Sequence, residues 1–405
     1  MRRFTWDSRR VLVIVAPGQG AQSPGFLTPW LEDPVFASRL HWLSAVTDLD
    51  LVHYGTEADA DTIRDTAIAQ PLLVGSALLA ALELFPHPAD AFGRVSAVAG
   101  HSVGELAAAA GARAISAEQA MVLVRERGKA MAQAAAVTST SMTAVLGGDR
   151  DEVLAAISAN GLTAANDNGP GQIVAAGTFE QLEAFAAHPP AKARLIPLSV
   201  AGAFHTEHMS PAVGHLAALA KSVSTHDPRT RIISNRDGKV IHDGQEVLKR
   251  IVTQIGNPVR WDLCMDTMLD LGVTGLLEMP PAGTLTGIAK RAMKGVETFA
   301  LKTPDQLDAA RAFCDKHGEA SPVELNPTWR MVVSPAKGTF RRDEYAADAD
   351  VLPANAAIGA VASLRDETTV TTAHGGHVVE WLVEDGDLVS PGQPLVRLHP
   401  SGAAS

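Results

Sequence analysis

The sequence predicts an α/β fold over the first three quarters of the chain and a smaller all-β module after it. Short, fully apolar segments such as VLVIVA and RVSAVAG are typical of parallel strands that are buried on both faces. A long apolar helical segment, AQPLLVGSALLAALELF, lies between them, and this alternation indicates a sheet with crossover helices. The 405 residues, 46% of them hydrophobic, are enough for at least two folded units.

Composition excludes several classes of protein. The 45 acidic and 34 basic residues give a formal net charge of −11, which argues against a general nucleic-acid binder. Two cysteines, Cys264 and Cys314, are too few for a disulfide framework or a thiolate metal site. The apolar run from Val11 is too short for a signal peptide, and no segment has the roughly 20 uninterrupted apolar residues of a membrane helix. We therefore expect a soluble, cytoplasmic protein without a metal.

The first predicted strand leads into the glycine-rich loop APGQGAQ. This loop lacks both the G-K-[ST] ending and the full G-x-G-x-x-G pattern, so nucleotide binding is the weaker hypothesis for it. The stronger hypothesis uses the main-chain amides of the loop. A strand-end loop beside a nucleophile can donate an N–H, here from about Gln19, to an oxyanion.

The second predicted strand leads into GHSVG, a G-x-S-x-G pattern centred on Ser102. Gly100 and Gly104 permit a strained turn between this strand and the following helix, and such a turn holds the serine Oγ clear of the sheet. The turn also directs the helix N-terminus and the Val103 amide at an oxyanion beside the serine. From the motif alone, a serine that merely caps the helix is an equal alternative.

From Met142 the pattern changes to strand, helix, strand, strand, helix, strand. This is the order of a ferredoxin-like unit, which we place at about 140–208 as an insertion in the larger domain. The unit ends at AGAFHTEHM, and its His205 lies at a domain junction, where clefts form. Among 14 histidines it stands out as a base for Ser102, although by pattern alone a structural histidine is the more frequent role for any one of the 14. The sequence does not single out an orienting carboxylate, and a backbone carbonyl can replace one.

Seven motifs occur in an order that resembles a known family. The chain is similar, over roughly Val11 to Lys302, to malonyl-CoA:acyl carrier protein transacylases and to the related acyltransferase domains of fatty acid and polyketide synthases. The resemblance implies an α/β-hydrolase-like large subdomain at about 11–139 and 209–302, with the ferredoxin-like unit inserted. The motifs are APGQGAQ, TAIAQPLL, GHSVGE, RERGKAM, ANDNGPGQIVAAG, AGAFHTEHM and QIGNPVRW.

The resemblance implies roles for single positions. Ser102 matches the nucleophile of the family and His205 matches its general base. Gln19 and Val103 match the residues whose amides form the oxyanion hole. Gln254 matches the position whose main-chain carbonyl orients the histidine, so that the family works as a Ser-His dyad.

Three further positions are assigned to the substrate. Arg127 matches the arginine that pairs with the free carboxylate of a malonyl group, since a guanidinium binds a carboxylate through two parallel hydrogen bonds. Phe204, in the A-F-H form, resembles malonyl-selective enzymes, and Asn166 is assigned to substrate binding. Without the resemblance, Arg127 is a solvated helix arginine close to Arg125, and Phe204 is a core residue.

The activity implied by the resemblance is a two-step transfer that needs no cofactor. Ser102 takes the malonyl group from malonyl-CoA, and the phosphopantetheine thiol of acyl carrier protein then takes it from the serine, which supplies fatty acid synthesis. Because these carrier proteins are acidic, Lys290, Arg291 and Lys294 are candidates for a docking face; alternatively they form a solvated helix face. A transacylase of a polyketide synthase or a malonate-metabolising complex, a serine thioesterase or esterase, and a non-enzymatic scaffold are the alternatives.

The last quarter of the chain resembles biotinyl/lipoyl carrier domains. A helix and a proline-marked linker are predicted over 303–328, and short strand-like segments predict an all-β module over 329–398. VVSPAKGTFRR and GGHVVEWLVEDGDLVSPGQPLVRL carry the resemblance. Arg365 stands where those domains have their modified lysine, and Lys337 is the last lysine of the chain. A guanidinium cannot replace the amine, so neither biotin nor lipoate is expected.

Overall fold

The first apolar segment forms a strand, β1 (Leu12–Ala16), inside a six-stranded sheet. The computed structural model describes residues 10–87, 91, 93–318, 330–347, 349–363 and 366–400, and the chain divides into two compact units, residues 1–320 and 321–405. The sheet lies in the first unit. Its other strands are β2 (Val95–Gly100), β7 (Arg231–Ile233), β8 (Val240–Ile241), β10 (Gly275–Glu278) and β11 (Glu297–Ala300).

The strands of this sheet run in the order β11-β10-β1-β2-β7-β8, and the pairs are parallel except that between β7 and β8. Ala16 at the end of β1 pairs with Gly100 at the end of β2. The loop after β1 and the turn after β2 therefore leave the sheet at the same edge. This is the carboxyl edge at which α/β sheets bind ligands, and it carries both Gln19 and Ser102.

Alternate residues of β1 face two different cores. Leu12 and Ala16 pack into one core, and Val13 and Val15 pack into the other. Burial on both faces explains why the strand is apolar throughout. The helices of the unit outside the insertion are α1 (Pro34–Thr47), α2 (Leu51–Thr56), α3 (Thr66–Leu84), α4 (Gly104–Gly111), α5 (Ala117–Ala135), α8 (Ser210–Ala220), α9 (Gly244–Gln254), α10 (Trp261–Asp270), α11 (Thr284–Ala292) and α12 (Leu307–His317).

Helix α3 is long and apolar enough to cross a membrane, judged by length and composition alone. Most of the helix is buried within the first unit, and Leu72, Leu73 and Leu79 are among its core residues. The apolar composition of α3 is therefore explained by its place in the core of the unit.

The predicted insertion forms a separate antiparallel sheet. The elements are β3 (Thr140–Gly147), α6 (Arg150–Ala159), β4 (Thr163–Asp167), β5 (Gln172–Thr178), α7 (Phe179–Ala187) and β6 (Ala193–Pro197). The strands run in the order β6-β3-β5-β4, so the fourth, first, third and second strands of the unit are neighbours. Asp149 and Thr178 cap the two helices by accepting hydrogen bonds from first-turn N–H groups.

A fifth strand, β9 (Val259–Arg260), joins the sheet of the insertion from outside it. It runs parallel to β4 and pairs Val259 with Asn166. The sequence did not predict this strand, because two residues are too few to show a periodic pattern. The pairing connects the end of β4 to helix α10, which follows β9 directly.

Helix α12 belongs to the first unit. It lies in the stretch predicted as helix and linker, and it buries Ala310 and Cys314 in the larger core. A Cβ on Gly275 would lie 2.4 Å from the ring of His317, so α12 packs closely against β10. The predicted linker that follows α12 lies outside the described residues.

The second unit consists of two antiparallel four-stranded sheets. The elements are β12 (Arg330–Val333), β13 (Gly338–Arg342), a short helix α13 (Glu344–Ala347), β14 (Val351–Leu352), β15 (Ala357–Ala362), β16 (Glu367–Thr371), β17 (Gly376–Trp381), β18 (Leu388–Val389) and β19 (Pro394–Pro400). The strand orders are β12-β19-β17-β14 and β16-β15-β13-β18. Phe340, Val361 and Leu395 lie in the core of this unit. The β-rich region predicted here is confirmed, whereas Arg365 lies outside the described residues.

Candidate active site

The turn after β2 holds Ser102 in a left-handed backbone conformation, with a φ of 53°. The backbone packs so closely around this turn that Gly100 and Gly104 have no space for a side chain. A Cβ on Gly100 would lie 1.9 Å from the Gly104 carbonyl carbon, and a Cβ on Gly104 would lie 2.3 Å from the Ala16 carbonyl oxygen. A serine at positive φ is strained and is held there by its surroundings. The turn therefore has the strained strand-to-helix form that the G-x-S-x-G pattern predicts.

Ser102 and His205 are in hydrogen-bond contact, although 103 residues separate them in the chain. The Ser102 Oγ is 2.8 Å from Nε2 of His205, and Nδ1 of the same ring is 2.8 Å from the main-chain oxygen of Gln254. A carbonyl oxygen only accepts hydrogen bonds, so Nδ1 carries the proton and Nε2 is left to accept the serine proton. A backbone carbonyl thus takes the place of the acidic residue of a triad.

The loop that carries His205 is fixed to the end of helix α9. The His205 N–H donates to the Ile255 carbonyl oxygen at 3.1 Å, one residue after Gln254. His205 has a φ of 61°, so Ser102 and His205, which are hydrogen-bonded to each other, both have a left-handed backbone. Strained backbone of this kind concentrates at functional sites, where the surrounding structure holds it in place.

Helix α5 delivers Arg127 to the same place. A Cβ on Gly128 would lie 2.8 Å from the Thr66 carbonyl oxygen, so α5 packs tightly against α3 at this point. The Arg127 guanidinium is buried, donates to Oε1 of Gln70 at 2.6 Å and approaches the Ser102 Oγ to 3.3 Å. The neighbouring Arg125 forms its ion pair with Glu126, at 2.8 Å.

Burial determines the charges of the site. Burial is the larger cause and the positive charge of Arg127 the next, and together they lower the pKa of His205 to about 3. Burial also lowers the pKa of Arg127 to about 10, against the opposing charge of Glu105. At pH 7 the imidazole is therefore neutral and the guanidinium is charged. The Arg127 Nε has no hydrogen-bond partner among the described residues, so the site offers a buried positive charge to an anion beside Ser102.

The two predicted oxyanion residues lie at the edge of the sheet that carries Ser102. Val103 is the residue before helix α4, where N–H groups have no acceptor within the helix. Gln19 lies in the loop after β1, and its side chain donates to the Arg64 carbonyl oxygen at 3.1 Å and to the Thr66 hydroxyl at 3.3 Å. These bonds anchor the loop to the start of α3.

The residues assigned to substrate lie in different surroundings. Phe204 is buried directly before His205, and Asn166 is buried in β4 with its backbone in the sheet. A side-chain hydrogen bond beside Ser102 comes instead from Asn168, whose Oδ1 is 2.8 Å from Nε2 of His101. The structure thus places Asn168, at the end of the ANDN segment, next to the serine turn.

The three basic residues predicted for docking are exposed at the C-terminal end of α11 and in the turn after it. Arg291 donates to Oε1 of Gln172 in the insertion at 3.0 Å. Lys290 and Lys294 lie on the same exposed stretch. Positive charge is favourable at the C-terminus of a helix, so the surface is also explained without a partner.

Three buried polar residues contact the site and were not predicted from the sequence, namely Gln70, Glu105 and Asn235. Gln70 and Glu105 occur in the motifs TAIAQPLL and GHSVGE, where a polar residue within an apolar segment was the available signal. Asn235 follows β7 at the same edge of the sheet, and no local pattern marks it. Within the described residues no group of three or more His, Cys, Asp or Glu side chains could hold a metal ion.

Comparison with known proteins shows which family has a sequence and a fold similar to those of this chain. A family model described as an acyl transferase domain matches residues 13–319. The malonyl CoA-acyl carrier protein transacylase of Mycobacterium tuberculosis is 49% identical over 298 residues, which are 74% of this chain and 98% of that protein. The crystal structure of MCAT from Mycobacterium tuberculosis has a TM-score of 0.72 and 48% identity, and covers 74% of this chain and 99% of its own.

A second solved structure is a complex of a type II PKS acyl-carrier protein with its malonyl-transacylase. It has a TM-score of 0.68 and 28% identity, and the match covers 75% of this chain and 99% of that chain. The family model matches the first unit, which contains Ser102, His205 and Arg127. The chain therefore belongs to the acyl transferase family.

Proposed function

We propose that this acyltransferase moves a malonyl group from malonyl-CoA to the phosphopantetheine thiol of an acyl carrier protein, for fatty acid synthesis. The observation that carries the proposal is the convergence of a serine, a neutral imidazole and a buried guanidinium within hydrogen-bond distance. The relative that is 49% identical is named a malonyl CoA-acyl carrier protein transacylase, and a similar structure holds an acyl-carrier protein.

The first half-reaction forms a serine ester. Nε2 of His205 takes the Ser102 proton as Oγ attacks the thioester carbon, and the amides of Val103 and Gln19 stabilise the oxyanion. The carbon–sulfur bond then breaks, and His205 returns the proton to the sulfur of coenzyme A. In the second half-reaction the carrier thiol gives its proton to His205 and attacks the ester. Ser102 regains its proton when the carbon–oxygen bond breaks.

Arg127 selects the acyl group. Its guanidinium lies 3.3 Å from the nucleophile oxygen, so an acyl group on Ser102 that ends in a carboxylate can pair with it. An acetyl group leaves the buried charge without that partner. Loss of a buried charged pair costs about 2 to 5 kcal/mol, which is enough for a large preference for malonyl over neutral acyl groups.

Supporting residues complete the proposal. The Phe204 ring, buried beside His205, fills the space that the branch methyl of methylmalonyl would need, and Asn166 lies in the strand whose end borders the site. Lys290, Arg291 and Lys294 supply a local positive surface on a chain of net charge −11, as docking of an acidic carrier requires.

The proposal extends to the finer architecture. We assign an α/β-hydrolase-like large subdomain to about 11–139 and 209–302 and a ferredoxin-like insertion to about 140–208, because the strand order of the insertion is that of a βαββαβ unit. We assign residues 329–398 to a biotinyl/lipoyl-like module. This module carries no cofactor, because Lys337 is the last lysine of the chain and Arg365 stands at the position of the modified lysine. A cytoplasmic location fits two free, buried cysteines.

Intact-protein mass spectrometry tests this function. After mixing with malonyl-CoA, the wild-type chain should carry one malonyl group and should lose it to added acyl carrier protein, whereas Ser102→Ala should carry none. Carrier proteins of fatty acid and of polyketide synthesis, compared in the second step, separate the two pathways. Rapid release of free malonate with and without carrier protein would identify a hydrolase and overturn the proposal.

A further inference from the structure

Two side chains hold the peptide groups of the nucleophile from opposite sides. The Ser102 N–H donates to Oδ1 of Asn235 at 2.8 Å, and the Ser102 carbonyl oxygen accepts from Nε2 of Gln254 at 3.0 Å. Asn235 also donates through Nδ2 to the Gly100 carbonyl oxygen at 2.8 Å. The strained turn is therefore held at both ends by amide side chains.

One carboxylate lies behind both amides. Glu105, three residues after the nucleophile, is buried, with 3% of its surface exposed. Its Oε1 accepts the main-chain N–H of Asn235 at 2.5 Å, and its Oε2 accepts from Nε2 of Gln254 at the same distance. Each residue that holds the Ser102 peptide is thus itself bonded to Glu105.

Gln254 also links Glu105 to the arginine. Its Oε1 accepts from the Arg127 guanidinium at 3.0 Å, while its Nε2 points to Glu105. A carboxylate can only accept hydrogen bonds and a guanidinium can only donate them. The Gln254 amide therefore has one favourable orientation between these two groups, with Nε2 toward the carboxylate and Oε1 toward the guanidinium.

We propose that Glu105 is a positioning residue that fixes the Gln254 amide, and through it the Arg127 guanidinium and the Ser102 turn. This role rests on the proposed function of those residues. The charges agree with the geometry. The carboxylate and the guanidinium stabilise each other's charged forms across the site, although burial raises the pKa of Glu105 to about 7. Both oxygens of the Glu105 carboxylate are hydrogen-bonded to Asn235 and Gln254, so Glu105 acts through these residues.

Glu105→Gln tests the role, because it keeps the shape of the side chain and adds two donors. In one orientation of the new amide its NH₂ group faces the Asn235 N–H, and in the other orientation it faces the Gln254 Nε2, so a donor meets a donor in both cases. Turning the Gln254 amide over relieves this conflict but presents its NH₂ to Arg127. We expect the ratio of malonyl to acetyl kcat/KM, measured as acylation of Ser102, to fall about 10- to 100-fold, since a hydrogen bond to a charged group is lost.

Glu278→Gln is the matched control. Glu278 is fully buried in the same unit and accepts from the N–H groups of Gly283, Leu285 and Thr286, at the start of α11. These bonds hold α11 rather than the serine turn, so this variant should lower Tm and leave the malonyl-to-acetyl ratio unchanged. Glu105→Asp keeps a group that only accepts, so its ratio should lie nearer to that of the wild type than the ratio of Glu105→Gln does.

The outcomes separate this inference from the proposed function. A wild-type chain that is not malonylated would reject the proposed function itself. A malonylated wild type with an unchanged ratio in folded Glu105→Gln would reject the positioning role alone. Equal ratios in Glu105→Asp and Glu105→Gln would also reject it. If neither variant folds while Glu278→Gln does, Glu105 serves stability and the inference is wrong.

Discussion

Arg127 affects two properties of its neighbours at the scale of single residues. Its charge is available to an acyl carboxylate, and the same charge helps to lower the pKa of His205 to about 3, after burial as the larger cause. A base works only in its neutral form, which exists above its pKa. The lowered pKa therefore keeps His205 in its working form down to acidic pH.

Arg127→Ala should raise the pKa of His205, because one of the two main causes that lower it is removed. The acid limb of the pH profile should then move to higher pH than in the wild type. The measurement is kcat/KM for acylation of Ser102 by acetyl-CoA, a donor that does not need the guanidinium. An acid limb at the same pH in both proteins would contradict the assigned cause.

Site residues that stand in sequence motifs could be predicted from the sequence, whereas a residue that reaches the site only through the folded structure could not. Ser102, His205 and Arg127 stand in short motifs whose local chemistry or family resemblance points to them. Asn235 lies 133 residues from Ser102 in the chain, and its bond to the Ser102 N–H follows from the pairing of β2 with β7. Sequence patterns describe neighbours along the chain, so this bond could not be predicted from them.

The nucleophile lies in the turn between strand β2 and helix α4, where Gly100 and Gly104 allow close packing of the backbone. Gly104→Ala should lower the free energy of unfolding by about 1 to 3 kcal/mol, because the new Cβ would lie 2.3 Å from the Ala16 carbonyl oxygen and force β1 away from α4. It should also reduce acylation of Ser102. Urea unfolding and the acylation assay measure the two effects.

Gly111→Ala, at the other end of α4, is the control for this prediction. Nothing lies within 4 Å of its added Cβ, so we expect a gain of up to about 1 kcal/mol from the better helix propensity of alanine. Equal stability changes in the two variants would show that the close approach at Gly104 is not what the turn requires.

At the scale of elements, long and strongly patterned segments were predictable. The buried strands β1 and β2, helix α3 and the order of strands and helices from Thr140 to Pro197 are confirmed, because apolar runs and changes of period mark them. Strand β9 was missed, since its two residues form a strand only by pairing with β4. Helix α12 was predicted as a helix, but its packing on β10 depends on tertiary contacts at Gly275.

The whole first unit is needed to assemble the site. Ser102 comes from the turn after β2, His205 from the loop after the insertion, and Arg127 from α5, and each is held by a residue from another element. The second unit has its own core and sheets. The matched family model ends at residue 319, so the transfer chemistry is assigned to the first unit.

The central claim is that the buried guanidinium beside Ser102 determines which acyl group the serine carries. Competition tests it most directly: the protein is mixed briefly with equal concentrations of malonyl-CoA and acetyl-CoA, and the acyl group on Ser102 is identified by mass spectrometry. The wild type should carry malonyl almost alone, and Arg127→Ala should lose this preference by about two orders of magnitude. An unchanged malonyl preference in folded Arg127→Ala would show that the guanidinium does not make this selection.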